Sequence, residues 1–215
     1  VLFPEVAVVR SPRVAPALLG ERAVEATAPS LDDLRARDDV VVVATGAWAG
    51  GALAELGLPV QVAPRRGQMM LFASGAPATV VMEPAEGHLA VPRPDGRVVV
   101  GTTLEDAGFR AETLPADLRR MEAWARRTLP DLGPAEDRWA GLRPWSPRAV
   151  PTIGWAAPGV IVAVGHFRNG VLLAPATGEL VADLALGRPP AVPPEAFAPG
   201  GAGGPPSAAA DTIPR

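Results

Sequence analysis

Cysteine, lysine and tyrosine are all absent from this chain of 215 residues, and each absence excludes a class of chemistry. A chain without cysteine forms no disulfide, no thiolate zinc site and no cysteine nucleophile. Without lysine and tyrosine, Schiff-base catalysis by an amine and proton donation by a phenol are excluded as well. Histidine is scarce, because His88 and His166 are the only two. This scarcity argues against a multi-histidine metal site, and we expect no bound metal.

The chain also lacks the charge and the long apolar runs that would mark other partners. Its formal net charge is −3, although all 20 basic residues are arginine, and an acidic balance argues against nucleic acid as the main partner. No apolar run reaches the roughly 18 residues needed to cross a bilayer, and the pattern of the first residues leads us to expect no signal peptide. We therefore expect a soluble cytoplasmic protein that binds neither nucleic acid nor membrane.

The motifs of several enzyme classes are missing too. The sequence contains no G-x-S-x-G, no G-x-x-x-x-G-K-[ST] and no H-E-x-x-H, which disfavours α/β-hydrolases, P-loop enzymes and zinc proteases. The adjacent carboxylates of Glu105 and Asp106 are interpreted as turn or cap residues rather than as an acid–base pair.

The last stretch, Arg188–Arg215, holds eight prolines and seven alanines without apolar periodicity. That composition predicts a disordered tail from residue 188 to residue 215.

Two short apolar runs predict strands of a parallel sheet. Val40–Val43 and Val160–Gly165 are almost wholly apolar and β-branched, which is typical of strands buried on both faces. Each run ends in a glycine-containing turn. The second is followed by a predicted helix, Val171–Leu186, in which Pro175 lies in the first turn or else kinks the helix.

The middle of the chain has a different pattern, which predicts antiparallel strands. The turn Pro94–Arg97 lies between two runs rich in β-formers and indicates a hairpin. Apolar residues then recur at helical spacing from Leu114 to Leu129. The predicted strands are Leu58–Gln68, Gln68–Ala73, His88–Arg93 and Val98–Thr103. The fold class we predict is therefore α/β, with an inserted antiparallel sheet.

The first candidate site is the segment Trp139–Pro144, which carries Arg143. A residue before proline is held in an extended conformation, so this guanidinium would project rigidly from a strand end. A fixed, planar cation beside tryptophans is suited to binding a carboxylate. The same pattern also fits an arginine that is paired with a structural Asp or Glu, and the spacing alone favours that alternative.

The second candidate site is the loop Gly165–Gly170, between a buried strand and a helix. Backbone N–H groups and the positive end of a helix dipole meet there, and such a place suits a phosphate, a carboxylate or the negative charge of a reduced flavin ring. An ordinary helix cap with Arg168 on the surface is the alternative. His166 by itself is more typical of a structural histidine than of a catalyst.

Six segments in this order resemble the FAD-dependent amino acid oxidases of the glycine oxidase and D-amino acid oxidase type. They are Val41–Trp48, Pro64–Gln68, Val91–Thr103, Trp139–Pro144, Pro151–Gly154 and Gly165–Pro175. The resemblance runs from about Phe3 to Leu186. It is to the C-terminal portion of such an enzyme, since the dinucleotide fingerprint G-x-G-x-x-G does not occur.

The resemblance implies an FAD-binding domain (residues 1–57 and 139–187) that is interrupted by a substrate-binding domain (residues 58–138). It assigns the substrate carboxylate to Arg143 and Arg168. The FAD contacts are predicted at Gly46, Trp48, His166, Phe167, Arg168, Asn169, Gly170, Val171 and Leu172. No side chain is predicted to be catalytic, because the flavin performs the chemistry.

The implied activity is the oxidative deamination of a small amino acid, with hydride transfer to FAD and reduction of dioxygen to peroxide, of the type found in the thiamine pathway. The alternatives are a flavin-dependent D-amino acid dehydrogenase, an enzyme like sarcosine oxidase, or a truncated non-catalytic remnant. The sequence also leaves open a homo-oligomer, or a second chain that supplies the N-terminal half.

Overall fold

The computed structural model describes residues 11–22, 30–37, 40–85, 87–148 and 150–200. Contacts divide the chain into two compact units. The first unit contains Arg65–Leu142, and the second unit lies within the ranges Arg10–Pro64 and Arg143–Ala210. One unit contains a parallel strand pair and the other an antiparallel sheet, which confirms the predicted fold class. The assignment of one unit to FAD and the other to substrate stays a prediction.

Five helices and eight strands form the regular structure of these residues. The helices are α1 (Ser11–Leu19), α2 (Leu31–Arg37), α3 (Ala49–Glu55), α4 (Pro115–Thr128) and α5 (Gly170–Ala185). The strands are β1 (Val41–Val43), β2 (Ala63–Phe72), β3 (Val81–Glu83), β4 (His88–Pro92), β5 (Val98–Gly101), β6 (Ala135–Trp145), β7 (Thr152–Ala157) and β8 (Val160–Val164). Short 3-10 turns lie at Gly20–Arg22, Gly46–Trp48 and Pro194–Ala196.

The sheet of the second unit has the strand order β1-β8-β7. β1 pairs with β8 in parallel, with Val43 opposite Val162, whereas β7 pairs with β8 in the antiparallel direction. This sheet is therefore mixed, and only the β1–β8 pair confirms the expected parallel arrangement. α3 covers one face with Ala49 and Leu53, and α5 packs on β7 and β8.

Two details of this unit correct the sequence-based expectations. Val42 is 43% exposed whereas Val41 and Val43 are buried, so within the described residues β1 is covered on only one of its two faces, the one against which α3 packs. α5 begins at Gly170, which places Pro175 in its second turn rather than its first. Because proline lacks an N–H, the carbonyl of Val171 loses its hydrogen bond within the helix.

The first unit contains a five-stranded sheet in the order β3-β4-β5-β2-β6. β4 and β5 form the predicted hairpin, and in its turn Asp95 accepts hydrogen bonds from the backbone and the guanidinium of Arg97. α4 packs on the sheet through Leu118, Met121 and Ala125, as its apolar spacing predicts. The prediction of a strand over Leu58–Gln68 is wrong at its start, since β2 begins at Ala63 and continues to Phe72.

The beginning of the predicted disordered tail is ordered. The N–H of Ile153 donates to the carbonyl of Phe197 at 2.8 Å, and the guanidinium of Arg148 donates to the carbonyl of Ala198 at 3.1 Å. Tertiary hydrogen bonds therefore fix a proline-rich segment that has no regular pattern of its own, and the prediction is wrong for residues 188–200. Residues 201–215 lie outside the described residues.

In the described ranges, none of the helices combines the length and the apolar character that a bilayer crossing requires. The same ranges contain no group of three or more His, Asp or Glu side chains placed to hold a metal ion.

Candidate functional site

Two of the predicted FAD-binding segments leave the sheet at the same edge. β1 and β8 are parallel and in register, so their carboxyl ends lie side by side. The turn Gly46–Trp48 follows β1 and the loop Gly165–Gly170 follows β8. The side chain of Trp48 is 63% exposed, although tryptophan usually buries most of its surface. This edge is where an open α/β sheet ordinarily binds its ligand.

The loop Gly165–Gly170 is joined to the end of β6. Gly165 has φ +78°, and a Cβ there would come within 3.2 Å of the Ser146 Cβ, so the backbones approach closely at this point. The N–H of Phe167 donates to the carbonyl of Pro144 at 3.0 Å. The two segments that the sequence marked as candidate sites therefore meet in the fold.

Arg143 and Arg168 flank the hydrogen bond between Pro144 and Phe167, close enough for the charge of one to act on the other. Arg143 is partly buried and shares a face of β6 with Trp145, because side chains two residues apart in a strand project from the same face. Burial lowers the pKa of the Arg143 guanidinium, and the charge of Arg168 lowers this pKa further. A partly buried cation whose charge is disfavoured by burial and by a second cation is a place where an anion such as a carboxylate would be stabilising.

The start of α5 adds backbone donors to the same place. Asn169 is the N-cap residue but makes no side-chain cap hydrogen bond, and its carbonyl accepts the first helical bond, from Leu173, at 2.8 Å. The N–H groups of Gly170, Val171 and Leu172 precede the first residue that has an intrahelical acceptor. Val171 and Leu172 are 46% and 78% exposed, so this first turn presents donors and apolar surface together.

All the residues predicted to bind FAD or the substrate carboxylate lie within the second unit. The structure brings Arg143, Arg168 and the loop around them together, and it places Gly46 and Trp48 at the same sheet edge. Their roles toward substrate and FAD stay predictions.

The imidazole of His166 makes the free energy of unfolding depend on pH. Its imidazole is about half-buried, and burial lowers its pKa below the usual 6.5. As the pH falls below that value, the unfolded state takes up the proton before the folded state does, so the free energy of unfolding decreases until the pH passes the folded pKa.

We therefore expect the free energy of unfolding to fall more steeply between about pH 7 and about pH 5 in the wild type than in His166→Gln. Urea unfolding at a series of pH values measures both slopes. Equal slopes in the two proteins would contradict the conclusion that burial lowers the pKa of His166.

Sequence reasoning missed a buried polar network in the first unit. The guanidinium of Arg66, which is 5% exposed, forms an ion pair with Glu105 and donates to the carbonyl of Glu112 at 3.0 Å. Gln68, which is fully buried, donates to Glu105 and to Asp117. Glu105 is thus not a simple turn residue. The available signal was the placement of Arg66 and Gln68 on the same face of β2 as the apolar Met70 and Phe72.

Comparison with known proteins gives consistent matches. Residues 10–184 match the family model described as FAD dependent oxidoreductase, DAO. The chain is 41% identical over 169 residues to a glycine oxidase of Pseudomonas aeruginosa, covering 77% of this chain and 46% of that protein. It is 40% identical over 157 residues to a bifunctional ThiO/ThiG protein of Nostoc, covering 69% of this chain and 23% of that protein.

Solved structures agree with these relatives. Glycine oxidase from Geobacillus kaustophilus matches with a TM-score of 0.69 at 32% identity, over 74% of this chain and 44% of that chain. Iminodiacetate oxidase from Chelativorans also matches with a TM-score of 0.69, at 28% identity, over 75% of this chain and 46% of that chain. The chain spans about half the length of the glycine oxidases it matches. On the family match and the shared fold, this chain belongs to the FAD dependent oxidoreductase family.

Proposed function

We propose that this chain forms the amino-acid-binding and flavin-facing part of an FAD-dependent oxidase that deaminates a small amino acid. The observation that carries the proposal is the proximity of Arg143 to Arg168 at the start of α5. The names of the relatives, glycine oxidase among them, support the same class of substrate.

The donors at this place fit FAD. The unpaired amides at the start of α5 and the charge of Arg168 favour a group that gains negative charge, and the exposed Val171 and Leu172 offer apolar contact to a flat ring. When bound, FAD would accept a hydride from the substrate α-carbon and would pass the electron pair to dioxygen, which gives hydrogen peroxide. The residues of this chain that we assign to holding it are Gly46, Trp48 and His166 through Leu172.

Arg143 performs the orienting role. Its guanidinium can donate two parallel hydrogen bonds to a carboxylate, which fixes the rotation of the amino acid as well as its position. Arg168 supplies a second positive charge to the same anion. When the two arginines hold the carboxylate, the α-carbon is the part of the substrate that faces the flavin ring. This orientation would lower the barrier to hydride transfer without a side-chain base. The imine product then reacts with water to release ammonia and an oxo acid.

The test is the purification of the gene product that carries this chain. We expect a yellow protein that releases FAD on denaturation and produces peroxide in air with a small amino acid. The substrate panel should contain glycine, sarcosine, D-alanine and iminodiacetate, because relatives named for glycine and for iminodiacetate both match this chain.

Each rival activity predicts a different result. A dehydrogenase would oxidise the same substrates with an artificial electron acceptor but would produce no peroxide in air. A non-catalytic remnant would contain no FAD and would oxidise none of the panel, and that result would overturn the proposal.

A further inference from the structure

The imidazole of His166 makes a hydrogen bond that links the site loop to the middle of α5. Its Nε2 lies 3.0 Å from the Oγ1 of Thr177, which is eleven residues further along the chain. A Cβ added at Gly170 would lie 3.6 Å from the His166 Cβ, so the histidine packs over the first residue of the helix. We propose that Thr177 is a positioning residue, which holds the loop bearing Arg168 in its binding geometry through His166. This inference rests on the proposed function.

The loop needs such support because its backbone is strained. Phe167 has φ +48°, and it is the one non-glycine residue with positive φ in the described ranges. A bulky residue in this region of backbone conformation is strained and keeps the conformation only when its surroundings enforce it. Two backbone bonds contribute, from the N–H of Phe167 to Pro144 and from the N–H of Asn169 to the carbonyl of His166. The contact with Thr177 is the side-chain bond that adds to them.

The helix start also needs support. Gly170 and Pro175 both lie in the first two turns of α5, and both weaken a helix, glycine through its backbone entropy and proline through its missing donor. The contact between His166 and Thr177 spans this weak segment from one side of Pro175 to the other. It therefore ties the loop to the part of α5 beyond Pro175, where Leu180 and Asp183 are buried.

The function of this tie follows from what the loop carries. Arg168 is exposed on the loop, and the α5 amides follow directly after it. If the loop moved by about 1 Å, the substrate α-carbon would lose its alignment, although Arg143 on β6 would still hold the carboxylate. Because Arg168 is exposed and solvent screens its charge, its displacement should weaken binding of the carboxylate only slightly, so loosening the tie should lower kcat with a much smaller change in KM.

The experiment replaces the hydroxyl without changing the size of the side chain. In the purified gene product, Thr177→Val is expected to lower kcat for glycine, or for the best substrate of the panel, by about 3- to 10-fold. KM should stay within about 2-fold, and Thr177→Ser should restore kcat because it keeps the hydroxyl. Thr128→Val is the matched control, because Thr128 is also helical and its hydroxyl donates to the carbonyl of Trp124 in the other unit.

Amide hydrogen exchange gives a readout that does not depend on activity. The hydrogen-bonded amides of Phe167 and Asn169 are expected to exchange about 3- to 10-fold faster in Thr177→Val than in the wild type or in Thr128→Val. Unchanged exchange together with unchanged kcat would overturn the inference, as would a serine variant that fails to restore either. A wild type without amino-acid oxidation would refute the proposed function and the catalytic part of this inference, while the exchange rates still test the tie itself.

Discussion

Replacing Arg143 with leucine is expected to lower kcat/KM for the amino acid by about 100-fold or more in the gene product that carries this chain. The carboxylate would lose a charge-assisted pair of hydrogen bonds in a partly buried place, where water replaces them poorly. Arg143→Lys keeps the charge but loses the planar fork, so it should recover only part of the activity. Steady-state kinetics with the substrate panel measures both effects.

Stability separates this role from a structural one. Burial and the charge of Arg168 both lower the pKa of Arg143, which means that the fold itself disfavours the charged guanidinium. Leucine keeps an apolar side chain at this partly buried position, so the free energy of unfolding should change by no more than about 1 kcal/mol while activity is lost. The control is Arg138→Ala, an exposed arginine of the same strand. A loss of stability with activity changed less than about 5-fold would assign Arg143 to the structure instead.

Replacing Gln68 with leucine is expected to destabilise the protein by about 3 kcal/mol or more. The fully buried amide of Gln68 donates to Asp117 at 2.8 Å and also to Glu105, and its oxygen accepts the N–H of Leu114 at 2.6 Å. Leu114 is the N-cap residue of α4 and has no hydroxyl or carboxylate to cap the helix itself. In Gln68→Leu, the N–H of Leu114 and the carboxylates of Asp117 and Glu105 would lose the hydrogen bonds that the Gln68 amide makes to them.

Urea unfolding of both glutamine variants tests this expectation. Gln61 is the other glutamine of the chain and is exposed, so Gln61→Leu is a matched control that should change stability by no more than about 0.5 kcal/mol. A loss below about 1 kcal/mol in Gln68→Leu would contradict the importance of this network for the first unit.

Short sequence patterns predicted those helices and strands whose conformation depends mainly on neighbouring residues. The hairpin of β4 and β5 follows from the turn Pro94–Arg97, and α4 follows from apolar residues at helical spacing that end at a proline. The position of Arg143 before a proline gave the extended strand end that β6 has. These predictions depend on backbone geometry and on side-chain period, which a few neighbouring residues determine.

Other features depend on residues far apart in the chain, and for these the sequence was insufficient. The order of residues 188–200 depends on Ile153 and Arg148, which donate hydrogen bonds from the region around β7. The role of Glu105 depends on Arg66, 39 residues earlier. The exposure of Val42 depends on the placement of α3, which covers the opposite face of β1 through Ala49 and Leu53.

The sequence alone determined the type of each candidate binding segment: an arginine held rigid before a proline, and a glycine-rich turn between a β-branched strand and a helix. Composition alone excluded cysteine and lysine chemistry. Only the tertiary structure decided that Arg143 and Arg168 are neighbours and that Thr177 reaches the same loop, because residues distant in the chain meet only when β6, β8 and α5 pack. Local conformation depends on neighbouring residues, whereas a site that binds a carboxylate depends on charges brought together by the whole unit.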